Sequence, residues 1–288
     1  LHLLLDRFTA HHVLRSYAVL ASDLSVTQDA SWGSWIEPRL HGSFGAVTLA
    51  VPSGYPAYAR ICHPASDARG NHFSWPQVAS ETGRTAHALM QWHALVGSAD
   101  HLNFSGSLWP GRNPERGDLA PRVLGALCDV LTRHTADAER CFFGLWFGWA
   151  WVHGDGERGR MTLVRDGSVS APVEEAPPAF SADERSRPLL LLPGREYLLL
   201  AGPLSAAGKI GDPGGVCGFE PHSPNLIWPA DCAWFVASEI DFDSTLVGGS
   251  TDLIRDVLDA PGLDAWAVGP DDSLAYDADH VNEIPAYP

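Results

Sequence analysis

Residues 233–251 read AWFVASEIDFDSTLVGGST, and this stretch decides how the C-terminal part of the chain folds. Three carboxylates, Glu239, Asp241 and Asp243, occupy alternate positions of an otherwise apolar run. In a β-strand, side chains at i, i+2 and i+4 lie on one face of the sheet. We therefore predict a strand over 233–243 whose carboxylates line one face about 7 Å apart. Like charges at that spacing repel, so they need water, arginine or a metal ion as neighbours.

The residues after the carboxylates predict a turn and the start of a helix. Gly248 and Gly249 suit a tight turn, because glycine tolerates backbone conformations that other residues avoid. Ser250 or Thr251 then caps the helix that follows. A helix N-terminus attracts anions. The candidate ligand-binding residues are therefore Gly248, Gly249 and Ser250, together with Trp228.

The string DFDSTL at 241–246 resembles the first motif, DxDxT, of the haloacid dehalogenase-like phosphatases. In that family the first Asp is the nucleophile, the second is a general acid, and Mg²⁺ neutralises the phosphate. The resemblance implies Asp241 as nucleophile and Asp243 as acid/base. The family places this motif near the start of its domain with a lysine downstream, whereas the sole lysine here, Lys209, lies upstream. Chain position therefore favours a coincidental match.

The same carboxylates are also similar to the DxD motif of metal-dependent glycosyltransferases. There a strand delivers two carboxylates to Mn²⁺ and a nucleotide-sugar diphosphate. Both resemblances imply that Glu239, Asp241 and Asp243 bind Mg²⁺ or Mn²⁺. A further interpretation needs no ligand: the carboxylates face water or arginines. The alternate side chains then point inward, namely Trp234, Val236, Ile240 and Phe242.

Composition predicts an acidic, folded protein. The 288 residues include 19 Lys and Arg against 35 Asp and Glu, giving a formal net charge of -16. Such a surface repels phosphate backbones and anionic lipids, so we expect neither nucleic acid nor membrane as a partner. A hydrophobic content of 45% and eleven tryptophans are typical of a globular chain. The single lysine is typical of a high-GC bacterial coding sequence.

The cysteines and the apolar segments predict a cytoplasmic protein. Five cysteines are scattered without a CxxC spacing, so neither a zinc site nor a disulfide framework is indicated. Charged residues and histidines interrupt the apolar residues of 1–22, unlike the core of a secretory signal. The chain has no run of about 18 apolar residues, which a membrane-spanning helix requires.

Hydrophobic patterns predict an α+β fold. Apolar runs at 46–51, 57–62, 141–152, 189–192 and 196–201 indicate strands in addition to 233–243. Helices are predicted over 75–96, from Pro121 onward and over about 251–260. Strands in adjacent pairs with helices between them favour a mixed, largely antiparallel sheet with a few packed helices and long Gly/Pro-rich loops.

The chain divides into two predicted halves around a polar, Pro-rich segment. We expect an N-terminal extension over 1–22, an α+β half over 23–168, a flexible loop over 169–188 and a second α+β half over 189–268. An acidic tail, predicted to be poorly ordered, follows over 269–288. The halves form either two domains or one.

Three segments together are similar to a family of uncharacterised actinobacterial proteins. They are Ala57–Ala65 (AYARICHPA), the helical pattern of 75–92, and SPNLIWPADCAWFVASEIDFDSTLVGGS at 223–250. The resemblance implies no activity, cofactor or site residue.

Two classes of function stay open. Tryptophans outside the strong apolar runs either cap the core or offer surfaces for sugars and protein partners; they are Trp32, Trp35, Trp75, Trp109 and Trp228. The favoured hypothesis is a non-enzymatic binding or interaction module for a protein or small molecule. The alternative is a metal-dependent enzyme acting on phosphate esters or nucleotide sugars through Glu239, Asp241 and Asp243.

Overall fold

A sheet of nine strands, antiparallel at every pairing, organises the chain. This computed structural model describes residues 23–154, 157–158, 174–175, 178–215 and 218–282. Within these residues the strands are β1 (Ser25–Val26), β2 (Ala57–Cys62), β3 (Ala65–Ser66), β4 (His72–Phe73), β5 (Cys141–Trp146), β6 (Glu157–Arg158), β7 (Glu174–Glu175), β8 (Leu190–Leu192), β9 (Arg195–Gly202), β10 (Gly211–Gly215), β11 (Gly218–Pro221), β12 (Leu226–Pro229), β13 (Phe235–Ala237), β14 (Ser244–Gly249) and β15 (Ala265–Val268).

The order of the strands interleaves distant parts of the chain. Across the sheet it is β1-β9-β5-β12-β13-β14-β2-β15, and β8 also pairs with β9. Strand β2 lies between β14 and β15, and β5 lies between β9 and β12. Strands that begin before and after the polar middle segment therefore share one hydrogen-bonded sheet. The predicted α+β class with a largely antiparallel sheet is confirmed.

Short helices surround the sheet. They are α1 (Val47–Ala50), α2 (Trp75–Thr82), α3 (Trp92–Leu95), α4 (Pro121–Leu131), α5 (Ala150–His153), α6 (Ala182–Arg185) and α7 (Thr251–Leu258). Four 3₁₀ turns of the described residues lie at Ala30–Gly33, Glu37–Arg39, Thr132–His134 and Leu204–Lys209. The helix predicted from Pro121 is confirmed, and its proline occupies the first turn, where a missing N–H costs nothing.

Two sequence predictions of local structure are wrong. The helix expected over 75–96 stops at Thr82, because Gly83 adopts the left-handed conformation with φ of 70° and ends it. The apolar run 46–51 forms the short helix α1 instead of a strand. Val51 N–H donates to the Val47 carbonyl, a helical bond that a strand would not make. Apolar runs this short do not distinguish a strand from a buried helical turn.

Both faces of the sheet are buried, because alternate residues of its central strands enter two different clusters. One cluster lies under α4 and α7 and includes Ile61, Phe143, Leu198, Leu200, Ile227, Val236 and Val247. The other lies under the segment that contains α1 and includes Tyr58, Phe142, Leu199, Leu226, Trp228, Phe235 and Leu246. A third cluster gathers Trp75, Trp92 and Trp109 beside α2 and α3. These three tryptophans thus cap the core.

The opening stretch of sequence forms a hairpin instead of one long strand. Strand β13 ends at Ala237 and β14 begins at Ser244, so residues 238–243 are the connection between them. The predicted strand over 233–243 is therefore wrong in its second half. Successive residues at 239–243 do not alternate across a sheet, and their carboxylates do not line one face of it.

The predicted turn at Gly248 and Gly249 is also wrong, because both residues lie within β14. They pair with Tyr58 and Ala57 of β2. A Cβ atom on Gly248 would lie 2.7 Å from Val51 Cγ1, and one on Gly249 would lie 2.5 Å from Leu253 Cδ2. These glycines therefore let α1 and α7 pack closely on the two faces of β14.

The acidic segment at the end of the described chain is packed, contrary to the expectation of poor order over 269–282. Leu274 and Ala278 are buried. Asp279 accepts hydrogen bonds from His87 Nε2 at 2.9 Å and from Gln91 N at 3.1 Å. Asp279 explains why the prediction of poor order was wrong. In the sequence its carboxylate is taken for a solvated charge, but in the structure it binds this segment to the region between α2 and α3. Residues 283–288 lie outside the described residues.

We expect Gly248→Ala to lower the free energy of unfolding by about 1–3 kcal/mol, because its Cβ overlaps Val51 and Tyr55. The matched control is Gly125→Ala on the exposed face of α4, where no atom lies within 4 Å of the new Cβ. That change should raise stability by about 0.5–1 kcal/mol. Urea denaturation measures both, and equal effects at the two glycines would contradict the packing role.

Candidate functional site

A pocket of about 200 Å³ opens beside the 238–243 connection, at one end of β2 and β14. We call it the turn pocket. It is lined by Phe44, Arg60, Gln91, Trp92, His93, His101, Leu102, Phe104, Arg116, Asp241, Phe242, Asp243, Ser244, Leu274, Ala275 and Tyr276. Its walls thus come from β2, α3, the loop that follows α3, the β13–β14 connection and the C-terminal segment. No single stretch of sequence contains the site.

Arg60 forms the floor of the turn pocket. Its side chain is only 1% exposed. The guanidinium donates hydrogen bonds to the Met90 carbonyl at 2.7 Å, to the Ala88 carbonyl at 3.2 Å and to Ser244 Oγ at 3.0 Å. Asp243 Oδ1 lies 3.6 Å from Nη2 and supplies the opposite charge. A buried guanidinium is tolerated only when its donors and charge are matched, and these partners match them.

A buried hydrogen-bond chain runs behind this floor. His63 Nδ1–H donates to the Glu115 carbonyl at 2.6 Å, because a carbonyl oxygen can only accept. The Thr245 hydroxyl therefore donates to His63 Nε2 at 2.8 Å, and Ser238 donates to Thr245 Oγ1 at 2.7 Å. Burial lowers the pKa of His63, which keeps the imidazole neutral. Both ring nitrogens of this histidine are thus fully used.

The three carboxylates that the sequence singled out are divided between two arginines. Arg195 Nη2 donates to Glu239 Oε1 at 2.8 Å and to Asp241 Oδ2 at 2.7 Å, and its Nε reaches the same Glu239 oxygen at 3.1 Å. Asp243 pairs with Arg60 instead. Asp241 and Asp243 line the turn pocket, whereas Glu239 and Asp241 line a second pocket of about 290 Å³ on the other side of Phe242.

Because the three carboxylates are divided in this way, the predicted Mg²⁺ or Mn²⁺ ligands do not converge on one metal position. Across the residues that the structure describes, no group of three His, Cys, Asp or Glu side chains is placed to hold a metal ion. A cation entering between Glu239 and Asp241 would have to displace the Arg195 guanidinium. Of the two residues predicted as catalytic, Asp243 has its charge opposed by a buried arginine, and Asp241 lies on the surface in an ion pair.

The other predicted ligand-binding residues do not meet at a site. Ser250 caps α7 as predicted, since its Oγ accepts a hydrogen bond from Leu253 N at 3.1 Å. Trp228 is buried in the core and stacks between Phe142 and Phe235, with ring centroids 5.6 and 5.8 Å away. Its indole therefore faces other side chains of this protein and not a ligand.

Two deeply buried polar side chains of the turn pocket have unused hydrogen-bonding atoms. His93 is 4% exposed, and its ring makes no hydrogen bond to any residue that the structure describes. Gln91 is 6% exposed; its Nε2 donates to the Leu89 carbonyl at 3.3 Å, but its Oε1 accepts nothing from the described residues. Burial, followed by the proximity of His101, lowers the pKa of His93.

Arg116 supplies a cation to the turn pocket. Its Nη2 donates to the His101 carbonyl at 2.7 Å, and its guanidinium lies over the Phe104 ring, 5.1 Å from the centroid. No carboxylate of the described residues lies within ion-pair distance of it. Phe104 has a φ of 55°, a left-handed conformation that is costly for an aromatic residue. The strained residue thus supports the cation of the pocket.

The mouth of the turn pocket is apolar. Phe44, Leu102 and Tyr276 are 64%, 61% and 56% exposed, and the Tyr276 ring stacks on His101 with centroids 4.5 Å apart. Sequence reasoning missed Gln91, His93 and Arg116, because none of them belongs to a spaced motif. The exposed aromatic side chains at the rim also lie far apart in the sequence. Only the packing of the loops brings them together.

Comparison with known proteins identifies no similar site. No protein-family model, no curated protein and no solved structure matches the chain. The resemblance to actinobacterial proteins of unknown function stays a prediction. Among the described helices, none has the length and apolar character needed to cross a membrane.

We expect the free energy of unfolding to fall as the pH is lowered from 7 to 5. The unfolded chain takes up a proton on His63 near pH 6.5, whereas the folded state resists protonation because burial depresses the pKa. The stabilising contribution is therefore complete above about pH 6.5 and is lost below it. His63→Asn should reduce this slope in pH-dependent urea denaturation, and the exposed His72→Asn should not. A slope that survives His63→Asn unchanged would contradict the assignment.

We expect millimolar Mg²⁺, Mn²⁺ or EDTA to leave the melting temperature of the protein unchanged. The physical reason is that Arg195 already pairs with both Glu239 and Asp241, and Arg60 opposes the charge of Asp243, so the three carboxylates do not share a metal site. A thermal-shift assay at constant ionic strength measures this. A rise with metal that Asp241→Asn plus Asp243→Asn abolishes would instead support the metal-dependent alternative.

Proposed function

We propose that this protein is a binding module that holds a small organic molecule in the turn pocket. The observation that carries the proposal is the state of His93, which is more than nine-tenths buried and makes no hydrogen bond to a described residue. The ring nitrogens of His93 are therefore available to a ligand in the pocket. A ligand in the pocket would supply a hydrogen-bond partner for the His93 ring.

The strained backbone of the pocket supports the same function. Phe104 holds a left-handed conformation beneath Arg116, and residues in such conformations cluster at ligand-binding and active sites. The pocket also combines an apolar mouth with a few convergent polar groups, which is the usual composition of small-molecule sites. Binding is favoured over turnover, because the two carboxylates in the wall, Asp241 and Asp243, are both engaged by arginines.

The proposal includes a choice of partner and compartment. A net charge of -16 disfavours nucleic acid and anionic membrane surfaces, so the partner is proposed to be a small molecule. The cytoplasm is the proposed compartment. It is supported by the four cysteines of the described residues, Cys62, Cys128, Cys141 and Cys232, which are all free thiols.

We expect His93→Leu to abolish ligand binding while leaving the fold as stable as before, or more stable. The substitution removes a ring that makes no hydrogen bond to a described residue, so no hydrogen bond of the fold is lost. His63→Leu is the matched control, because His63 is equally buried but uses both ring nitrogens. That control should cost at least about 2 kcal/mol, since Thr245 and the Glu115 carbonyl lose their partner. Urea denaturation gives both values.

Binding itself is measured by ligand-observed NMR against a library of small acids, amides and sugars. Hits should be lost in His93→Leu and in Tyr276→Ala, and retained in Leu191→Ala, which removes an equally exposed apolar side chain elsewhere. The proposal is wrong if no library member binds the native protein, or if hits persist in both pocket variants.

A further inference from the structure

We infer that the ligand of the turn pocket is a small organic monocarboxylate with a flat apolar body. The inference rests on the proposed function, because it assigns a chemical class to the ligand of that same pocket. It depends on which charges of the pocket are already paired, on which hydrogen-bond donors are free, and on the side chains at the mouth.

Arg116 is the cationic side chain of the pocket that favours an anionic ligand. The described residues give it one hydrogen bond, to a neutral carbonyl oxygen, and no carboxylate. Its planar guanidinium therefore keeps most of its five N–H donors for another partner. Arginine binds carboxylates through two parallel hydrogen bonds, which are among the strongest in proteins. Its position over the Phe104 ring fixes the plane of the guanidinium and so favours such a bidentate contact.

The other charged groups of the pocket have partners of their own. Arg60 donates to two carbonyls and a hydroxyl and pairs with Asp243. Asp241 receives a hydrogen bond from Arg195. Neither carboxylate therefore needs a ligand cation, and Arg60 has few donors left for a ligand anion. The donors that the pocket leaves for an anion are therefore those of the Arg116 guanidinium and the His93 ring.

A single negative charge matches this pocket better than a double one. One unpaired guanidinium balances one carboxylate, whereas a phosphate dianion would keep an excess charge in a pocket that also contains Asp241 and Asp243. Like charges repel, and the repulsion from these carboxylates is greater for a dianion than for a monoanion. This repulsion disfavours phosphate esters and leaves a carboxylate as the anion that the pocket accepts.

The remaining part of the ligand is defined by the mouth of the pocket. Phe44, Leu102 and Tyr276 are all more than half exposed and surround the opening with apolar surface. Aromatic rings favour stacked or edge-to-face contact with flat groups. A ligand whose carboxylate meets Arg116 and His93 would therefore place a flat apolar group between these side chains. Aromatic and similar unsaturated carboxylic acids fit this description.

Benzoate, benzamide and inorganic phosphate test the inference with the 288-residue chain. Benzoate and benzamide share the flat ring and differ in charge, so the difference between them isolates the carboxylate. We expect benzoate to bind at least about tenfold more tightly than benzamide, the ratio that one charge-assisted contact gives. Phosphate at tenfold molar excess should not displace benzoate. Isothermal titration or ligand-observed NMR measures all three.

Arg116→Gln locates the charge effect. This variant should weaken benzoate at least about tenfold and change benzamide less than about twofold, because only the anion loses its partner. The control is Arg112→Gln, which removes an exposed arginine of the same loop that does not line the pocket. It should leave the affinity for both probes unchanged.

The outcomes separate this inference from the proposed function. Equal binding of benzoate and benzamide, displacement of benzoate by phosphate, or a benzoate affinity unaffected by Arg116→Gln would overturn the monocarboxylate while leaving a binding module in place. Neutral library members that bind in a His93-dependent way, in the absence of benzoate binding, would overturn it in the same manner. If no compound binds the native protein, the proposed function fails together with the inference.

Discussion

The buried guanidinium of Arg60 is the constraint on which the candidate site depends. It extends from β2, contacts Asp243 and Ser244 at the start of β14, and donates a hydrogen bond to the Met90 carbonyl just before α3. Its Cζ atom lies over the Trp75 ring, 5.0 Å from the ring centroid. An ion buried this deeply is stable only while every one of these partners is present. The guanidinium therefore joins the central sheet to the loops that form the turn pocket.

The β13–β14 connection shows why the sequence alone predicts a different role for its carboxylates from the one they have in the structure. Glu239, Asp241 and Asp243 look like a metal-binding set, yet the first two share Arg195 and the third pairs with Arg60. Arg195 bridges Glu239 and Asp241, which relieves their repulsion and holds the connection against β9. The carboxylates thus position the turn, and through it they shape the wall of the turn pocket.

Hydrogen bonding is complete behind the pocket and incomplete inside it. His63 uses both ring nitrogens in a closed chain with Thr245, Ser238 and the Glu115 carbonyl. His93 is as deeply buried and uses neither with a described residue. The two histidines have similarly small exposed areas, but only His63 has hydrogen-bond partners among the described residues. This difference separates a structural role from a binding role better than any sequence motif does. The left-handed Phe104 beneath Arg116 adds strain at the same place.

The sequence by itself determined the α+β class, the helix from Pro121 and the strands at 57–62, 189–192 and 196–201, because these depend on local periodicity and on proline. It also determined the acidic charge. Only the tertiary structure decided that Gly248 lies in a strand, that residues 269–282 pack, and that His93 and Arg116 line one pocket. These features depend on which atoms meet across the sheet, and pairings of residues far apart in the chain leave no periodic trace in the sequence.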